Sequence, residues 1–193
     1  MFIEPVVLKG QAVRLEPLTK SHFETSVREA LAHPEIWTHM PYRVRDRDDV
    51  ARLFAIAEKM LEAQAGIVFA TCTADRVVGG TSIRVVDPTT PSVEIGGTWI
   101  VPAFQRTYVN TEAKLLQLAY AFETLGVARV EFKTDVNNAR SRAAIARLGA
   151  KEEGTFRNHM RRQDGTLRDS VYFSILPTEW PELKKRLQDR LAS

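Results

Sequence analysis

Cysteine is almost absent: Cys72 is the only one in 193 residues. A single thiol excludes an intramolecular disulfide and any zinc cage built on several cysteines. Long apolar runs are also missing. No stretch of eighteen apolar residues occurs, so no membrane-spanning helix is expected. Met1 to Gly10 carries Glu4, Pro5 and Lys9 and holds no apolar run of signal-peptide length. The expectation is a soluble, cytoplasmic protein. Charge of one sign is in small excess, with 27 Lys and Arg against 24 Asp and Glu. That +3 admits an anionic ligand but does not by itself argue for nucleic acid. The absence of a Gly-x-x-x-x-Gly-Lys-Ser/Thr run excludes a P-loop nucleotide binder, and no internal repeat points to a solenoid.

What is present is ordinary globular composition, 44% hydrophobic and 26% charged. A chain of this length buries a core without a disulfide or a metal, and one domain over residues 1–193 is expected. Val13 and Leu15 alternate with Arg14 and Glu16, the period of a half-buried strand. A helix follows, capped by Thr19 or Ser21, with Phe23, Val27, Ala30 and Leu31 on one face; His33-Pro34 ends it. The loop after it holds Ile36, Trp37, Met40 and Tyr42, which either line a pocket or cap the core. Asp46 to Gln64 has helical apolar spacing, with Asp46, Asp48 and Asp49 at its positive end and Gly66 as its stop. The three aspartates either begin the helix or attract a cationic amine.

Three strand-like runs come next, Ile67 to Thr73, Val77 to Val86 and Ser92 to Val101. Short turns, the first at Ala74-Asp75-Arg76, suggest an antiparallel meander. From Ser92 to Gly149 the pattern becomes strand, helix (Asn110 to Leu125), strand (Arg129 to Asp135), helix (Asn138 to Leu148). That is a βαβ unit of the kind that pairs strands in parallel. Strand candidates at Lys151 to Arg162 and Ser170 to Leu176 flank a turn at Gln163-Asp164-Gly165, and Thr178 is a candidate cap for a last helix. The fold class is α+β: a mixed, mostly antiparallel sheet with one parallel crossover and flanking helices.

The chemistry points to Trp99 through Lys114. A strand there runs through a short loop into a helix. The first N–H groups of that helix have no internal partner, which suits a phosphate; Arg106 adds a cation. The alternative is an ordinary strand–helix connection.

Taken in order, Glu94-Ile95-Gly96, Trp99-Ile100, Pro102, Gln105 to Ala113, Asp135, Asn138, Ser141 and Leu148-Gly149-Ala150 resemble the acyl-CoA-binding core of the GCN5-related N-acetyltransferases. The similarity is to the branch that resembles the ribosomal-protein N-terminal acetyltransferases, and Val13-Arg14-Leu15-Glu16-Pro17-Leu18 resembles that branch's first strand. One departure stands out. The family loop usually reads Gln/Arg-x-x-Gly-x-Gly/Ala; here Gln105 holds the first position, Tyr108 replaces a glycine, and Asn110 stands where Gly or Ala is usual. Tyr108 must then take a negative φ or bear strain.

The resemblance implies an acetyl-CoA-dependent amine N-acetyltransferase with no metal. Its substrate would be a protein or peptide N-terminal amine, a peptide-antibiotic amine or a small amine. Ile100 and Val101 would offer backbone groups to pantetheine. Gln105, Arg106, Thr107, Tyr108, Val109, Asn110 and Thr111 would form the pyrophosphate loop. Asn138, with Ser141 one turn on, would meet the pantetheine end, although Asn138 also reads as a plain N-cap. Arg142 or Arg140 would meet the adenosine phosphate or simply be solvated. Glu94 is the candidate base, through water, or else a strand salt bridge; Ser141 is the candidate donor to the thiolate. The tyrosine acid usual after the second helix is absent. Tyr172 and His159 are the remaining titratable candidates, and Cys72 has no activating neighbour in sequence. Trp37, Met40 and Tyr42 would line the amine pocket. The resemblance admits a homodimer and gives no role for direct nucleic-acid binding or a membrane. The alternative function is a CoA-binding or ribosome-associated module that has lost catalysis, to which Tyr108 and the missing tyrosine point.

Overall fold

The computed structural model describes residues 2–74, 76–162 and 164–192. The strands are β1 (Leu8–Lys9), β2 (Arg14–Pro17), β3 (Gly66–Thr73), β4 (Arg76–Asp87), β5 (Ser92–Ile100), β6 (Arg129–Asp135), β7 (Lys151–Arg161) and β8 (Leu167–Ile175). The α-helices are α1 (Phe23–Ala32), α2 (Arg47–Glu62), α3 (Tyr108–Ala119), α4 (Ala139–Leu148) and α5 (Trp180–Ala192). Among the described residues they form one sheet, in the order β1-β2-β3-β4-β5-β6-β8-β7. The expected α+β class holds: the β5–β6 pair is parallel and the other neighbours are antiparallel. A helix, α3, crosses between the parallel strands, as a parallel connection requires. No helix is long and apolar enough to cross a membrane among the described residues.

The parallel pair is short, and that shapes the site. β5 and β6 are in register only at Ser92↔Arg129, Val93↔Val130 and Glu94↔Glu131. Beyond Glu94 the two strands part. β5 continues to Ile100 along β4, and β6 continues to Asp135 along β8. Where they part, the β4–β5 register slips between Gly80 and Ser82, opposite Gly97 at φ +59. The result is a wedge in the sheet, open toward the carboxyl end of β5.

Among the described residues, the two largest of three apolar clusters divide the faces, the third being Ala70, Cys72 and Val77. The larger joins the sheet to α3, α4 and α5 through Ile83, Ile95, Val109, Ala113, Leu118, Ile145, Leu148, Leu183 and Leu187. The smaller gathers Ala30 of α1, Ile36, Trp37, Val44 and Val50 of α2, with Trp99 of β5 packed on it. Burial at about 25 cal/mol per Å2 of apolar surface makes the first cluster the main source of stability.

Local chemistry sets the helix ends. Asp46 caps α2 by accepting from Asp49 N, Thr107 Oγ1 caps α3 through Val109 N, and Asn138 Oδ1 caps α4 through Ser141 N at 3.0 Å. Several details differ from the sequence expectations. Gly66 does not stop α2: the left-handed residue there is Gln64, at φ 52, and Gly66 opens β3, where a Cβ would meet Ile83 O at 2.6 Å. Leu31 is exposed rather than on the buried face of α1. α3 begins at Tyr108 rather than Asn110, because Thr107 caps it, and its last turn, Tyr120–Thr124, is π-helical. Pro34–Trp37 forms a 3-10 turn inside the segment read as loop. Asp75 and Gln163, each part of an expected turn, lie outside the described residues. Gly165, at φ +89, follows in the second of these turns.

Candidate active site

The wedge between β5 and β6 is bordered by the starts of two helices. α3 presents its first N–H groups from Thr107 to Asn110. Its Thr107 cap satisfies Val109 N alone, at 3.3 Å. The left-handed turn that swings the chain into α3 falls on Arg106, at φ 62. Tyr108 is not among the positive-φ residues, and its ring is exposed. The glycine usual at its position is therefore not needed here. Val109 and Thr111 are buried under the loop, and the buried Asn110 Oδ1 has no hydrogen-bond partner.

Gln105 ties the wedge together. Its Nε2 donates to Ile100 O at 2.8 Å, and its Oε1 accepts from Arg140 Nη1 at 2.8 Å. One side chain thus bridges the end of β5 to the first turn of α4. Val101 has both backbone groups engaged: its N–H donates to Val78 O and its carbonyl accepts from Phe104 N, each at 2.9 Å. Asn138 and Ser141 stand half-buried at the start of α4. Arg142 turns to Glu152 of β7, at 3.3 Å, whereas Arg140 is the cation linked to the loop.

On the sheet face opposite α3 lies a cavity of about 330 Å3. Trp37, Tyr42, Phe54 and Trp99 wall it, and Met40 lines it. The Trp37 and Trp99 rings are 5.4 Å apart, centroid to centroid, and the Trp37 and Tyr42 rings 6.1 Å. Gly80 lets Trp99 lie across the sheet, since a Cβ there would stand 2.6 Å from Trp99 Nε1. Burial pushes the Tyr42 phenol up to about 12, so it stays protonated at neutral pH. The expected pocket residues Trp37, Met40 and Tyr42 thus come together, with Glu94 beside them. Asp46, Asp48 and Asp49 do not line this cavity. Asp46 is the α2 cap, and Asp49 holds Arg45 and Arg52.

Glu94 is buried at 7% exposure and both of its oxygens are engaged. Oε1 meets Arg84 Nη2 at 2.6 Å and Oε2 meets Lys133 Nζ at 2.8 Å. The strand ion pair read for it is present, and each carboxylate oxygen keeps a second lone pair. Close by on the strands, His159 Nδ1 meets Ser170 Oγ at 3.0 Å, and its Nε2 meets the Tyr172 hydroxyl at 3.2 Å. Burial and the Lys133 charge lower the His159 pKa, and burial raises that of Tyr172.

Sequence reasoning missed Lys114, Arg84, Lys133 and Arg168. Lys114 is buried on the α3 face, donating to Thr81 Oγ1 and Thr98 Oγ1 at 2.8 Å and to Gln117 Oε1 at 2.7 Å. Desolvation drops its pKa to about 7. The other three line the cavity from three different strands. Alternation marks each as facing one side of its strand, but only strand order puts them on one wall.

Cys72 is remote from this chemistry, and burial pushes its thiol up to about 11. Its Sγ approaches Glu16 and His22, with ligand atoms within 4.8 Å of one another. Arg14 Nε already holds Glu16 at 2.9 Å.

A model of the acetyltransferase (GNAT) domain matches residues 12–151. A Bacillus subtilis (strain 168) protein named "Putative ribosomal N-acetyltransferase YdaF" is 36% identical over 102 residues, which is 53% of this chain and 55% of that protein. The match thus spans about half the length of that relative. A GCN5-related N-acetyltransferase from Brucella melitensis has a crystal structure that superposes with a TM-score of 0.91 at 30% identity, covering 99% of this chain and 87% of that one. Mycobacterium smegmatis RimJ, in complex with CoA-disulfide, superposes with a TM-score of 0.82 at 21% identity, over 98% and 93% of the two chains.

Proposed function

Because this chain belongs to the acetyltransferase (GNAT) domain family, we propose that it moves the acetyl group of acetyl-CoA to a primary amine by direct attack in a ternary complex. The observation that carries this reading is the wedge itself. Sheet pairing stops at Glu94, two helix starts border the opening, and an aromatic pocket meets the same strand on the opposite face. The residues suit a pyrophosphate and a pantetheine amide. Uncapped N–H groups at the start of α3 and the exposed Arg106 offer donors to an anion. Ile100 O, now held by an amide side chain, is an acceptor an amide of the same kind would take over. The homologue and neighbour names support a target of the ribosomal-protein type and, with it, a cytoplasmic site of action. One apolar cluster runs from Ile3 to Leu187, which supports reading the whole chain as one catalytic domain.

Bound acetyl-CoA supplies an acyl thioester: the amine nitrogen bonds to the acetyl carbon, the carbon–sulfur bond breaks, and the thiolate leaves. Every other step belongs to the protein. The aromatic walls favour the neutral, nucleophilic amine over the ammonium. Glu94 receives the amine proton through water, held in place by Arg84 and Lys133. Ser141 donates to the departing sulfur from the first turn of α4, which Asn138 fixes.

The test has two stages. Titration calorimetry with acetyl-CoA is expected to show saturable binding. A thiol-release assay over a panel of amines is then expected to show turnover with at least one class. Binding with no turnover across peptide, amino-acid and polyamine acceptors would leave a CoA-binding module instead.

A further inference from the structure

The charged side chains lining the aromatic pocket are Arg84, Glu94, Lys133 and Arg168. Glu94 neutralises its two neighbours in part, at 2.6 and 2.8 Å. Arg168 is different. It reaches the pocket from β8, is 5% exposed, and its Nε makes no hydrogen bond. Among the described residues it forms no ion pair. Asp135, whose field it feels, gives both oxygens to Arg162, with Nε–Oδ2 2.7 Å and Nη2–Oδ1 3.0 Å. Burial pulls Arg168 below the ordinary guanidinium range, the sign of a desolvated charge. A guanidinium taken out of water with no acceptor is costly, and natural proteins pair such groups. The lining thus holds three cations against one carboxylate, with an unpaired donor on a buried wall.

We propose that Arg168 is the anion-binding residue of the acceptor pocket, and that the amine acetylated here carries a carboxylate. The inference rests on the acetyltransferase reading and names its substrate class. A guanidinium presents a planar fork of donors that matches a carboxylate bidentately. The aromatic walls hold the apolar body between that anion and the amine. The carboxylate has two sources, the α-carboxylate of a free amino acid or the acidic side chain of a peptide's first residue. A polyamine, cationic throughout, has no acceptor to offer Arg168.

Two matched pairs of acceptors decide it, with acetyl-CoA as donor and thiol release as readout. The first is L-phenylalanine against L-phenylalaninamide; the second is aspartyl-phenylalaninamide against asparaginyl-phenylalaninamide. In the wild-type protein, the carboxylate member of at least one pair is expected to have a kcat/KM about tenfold higher or more, the scale of a hydrogen bond to a charged group. Which pair discriminates names the source. In Arg168→Gln that ratio is expected to fall to about one, with Arg168→Lys intermediate. Equal use of both members in both pairs by the wild-type protein overturns the anion site while leaving the transferase standing. That comparison needs no variant, so an Arg168→Gln that fails to fold does not rescue the proposal. A ratio that persists in folded Arg168→Gln also overturns it. If no amine turns over, calorimetry with N-acetyl-L-phenylalanine and its amide replaces kinetics. Carboxylate-selective binding then keeps the anion site and sinks the transferase reading, and unselective or absent binding sinks the anion site too.

Discussion

Tyr108 and Arg106 exchange the roles a glycine loop would give them. Tyr108 stands where the resembling loops carry glycine, yet it is the first residue of α3 and is not at positive φ. The left-handed position is Arg106, at φ 62. A branched or long residue there costs on the order of 1 kcal/mol. Two substitutions should therefore move stability in opposite directions. Tyr108→Gly is expected to lose about 0.5–1 kcal/mol through added chain entropy, while Arg106→Gly is expected to be neutral or to gain up to about 1 kcal/mol. Urea denaturation of both checks this; a gain in Tyr108→Gly would mean the strain sits at 108 after all. The loop between β5 and α3 was legible in the sequence, but the position of its strained residue was not. That depended on Thr107, an extended N-cap that leaves the left-handed turn on Arg106, two residues before the position where glycine is usual. Glu94 belongs to the same scale. Glu94→Gln keeps the shape of the side chain, but it replaces one of the two acceptors that meet Arg84 and Lys133 with a donor and cannot take a proton. Its turnover is expected to fall about 100-fold or more, with acetyl-CoA affinity nearly unchanged. Thiol release and calorimetry on one preparation separate the two, and undiminished turnover would remove Glu94 from the proton path.

Elements add constraints that no single residue carries. α4 ends at Gly149, φ +97, with α5 packed against it. A Cβ there would stand 2.4 Å from both Leu183 Cδ2 and Arg186 Nη2. Gly149→Ala therefore meets a backbone penalty and a clash together, and a loss of about 1–3 kcal/mol is expected by thermal or urea unfolding. A loss under about 0.5 kcal/mol would show that α5 gives way. Gly149 was readable as a helix stop, whereas Gly66 was misread because composition does not reveal whether a glycine ends a helix or lets a strand approach. α3 raises a second element-scale question through Lys114. Burial lowers its pKa from 10.5 to about 7. Between those values the unfolded chain binds more protons than the folded one, so this residue's contribution to stability rises with pH from about 7 to about 10.5 and falls on acidification. In Lys114→Met the dependence disappears. The stability difference, wild type minus variant, is expected to climb across that window by up to about 1.4 kcal/mol per pH unit. Urea midpoints at several pH values measure it, and a flat difference would show that Lys114 keeps an ordinary pKa.

At the scale of the whole molecule, topology explains what the sequence hid. The strand, helix, strand, helix order from Ser92 to Gly149 was legible because period and caps are local. Arg84, Lys133 and Arg168 were not, because only the order β4-β5-β6-β8 brings them to one wall. The same topology separates two kinds of positive charge. Arg106 and Arg140 are exposed at the mouth of the wedge, and Arg168 is buried behind the pocket. Salt screens exposed charges over a Debye length of about 10 Å at 0.1 M and about 3 Å at 1 M, and buried ones much less. If the pyrophosphate end is held, as proposed, by solvated cations and helix N–H groups, raising NaCl from about 0.05 M to about 0.5 M should weaken acetyl-CoA binding several-fold. The preference for a carboxylate acceptor over its carboxamide, set by a desolvated guanidinium, should change less than about twofold over the same range. Calorimetry and matched-pair kinetics in one salt series test both halves. Equal loss of the two would mean that Arg168 is reached by bulk ions and that the pocket's back wall is open to solvent.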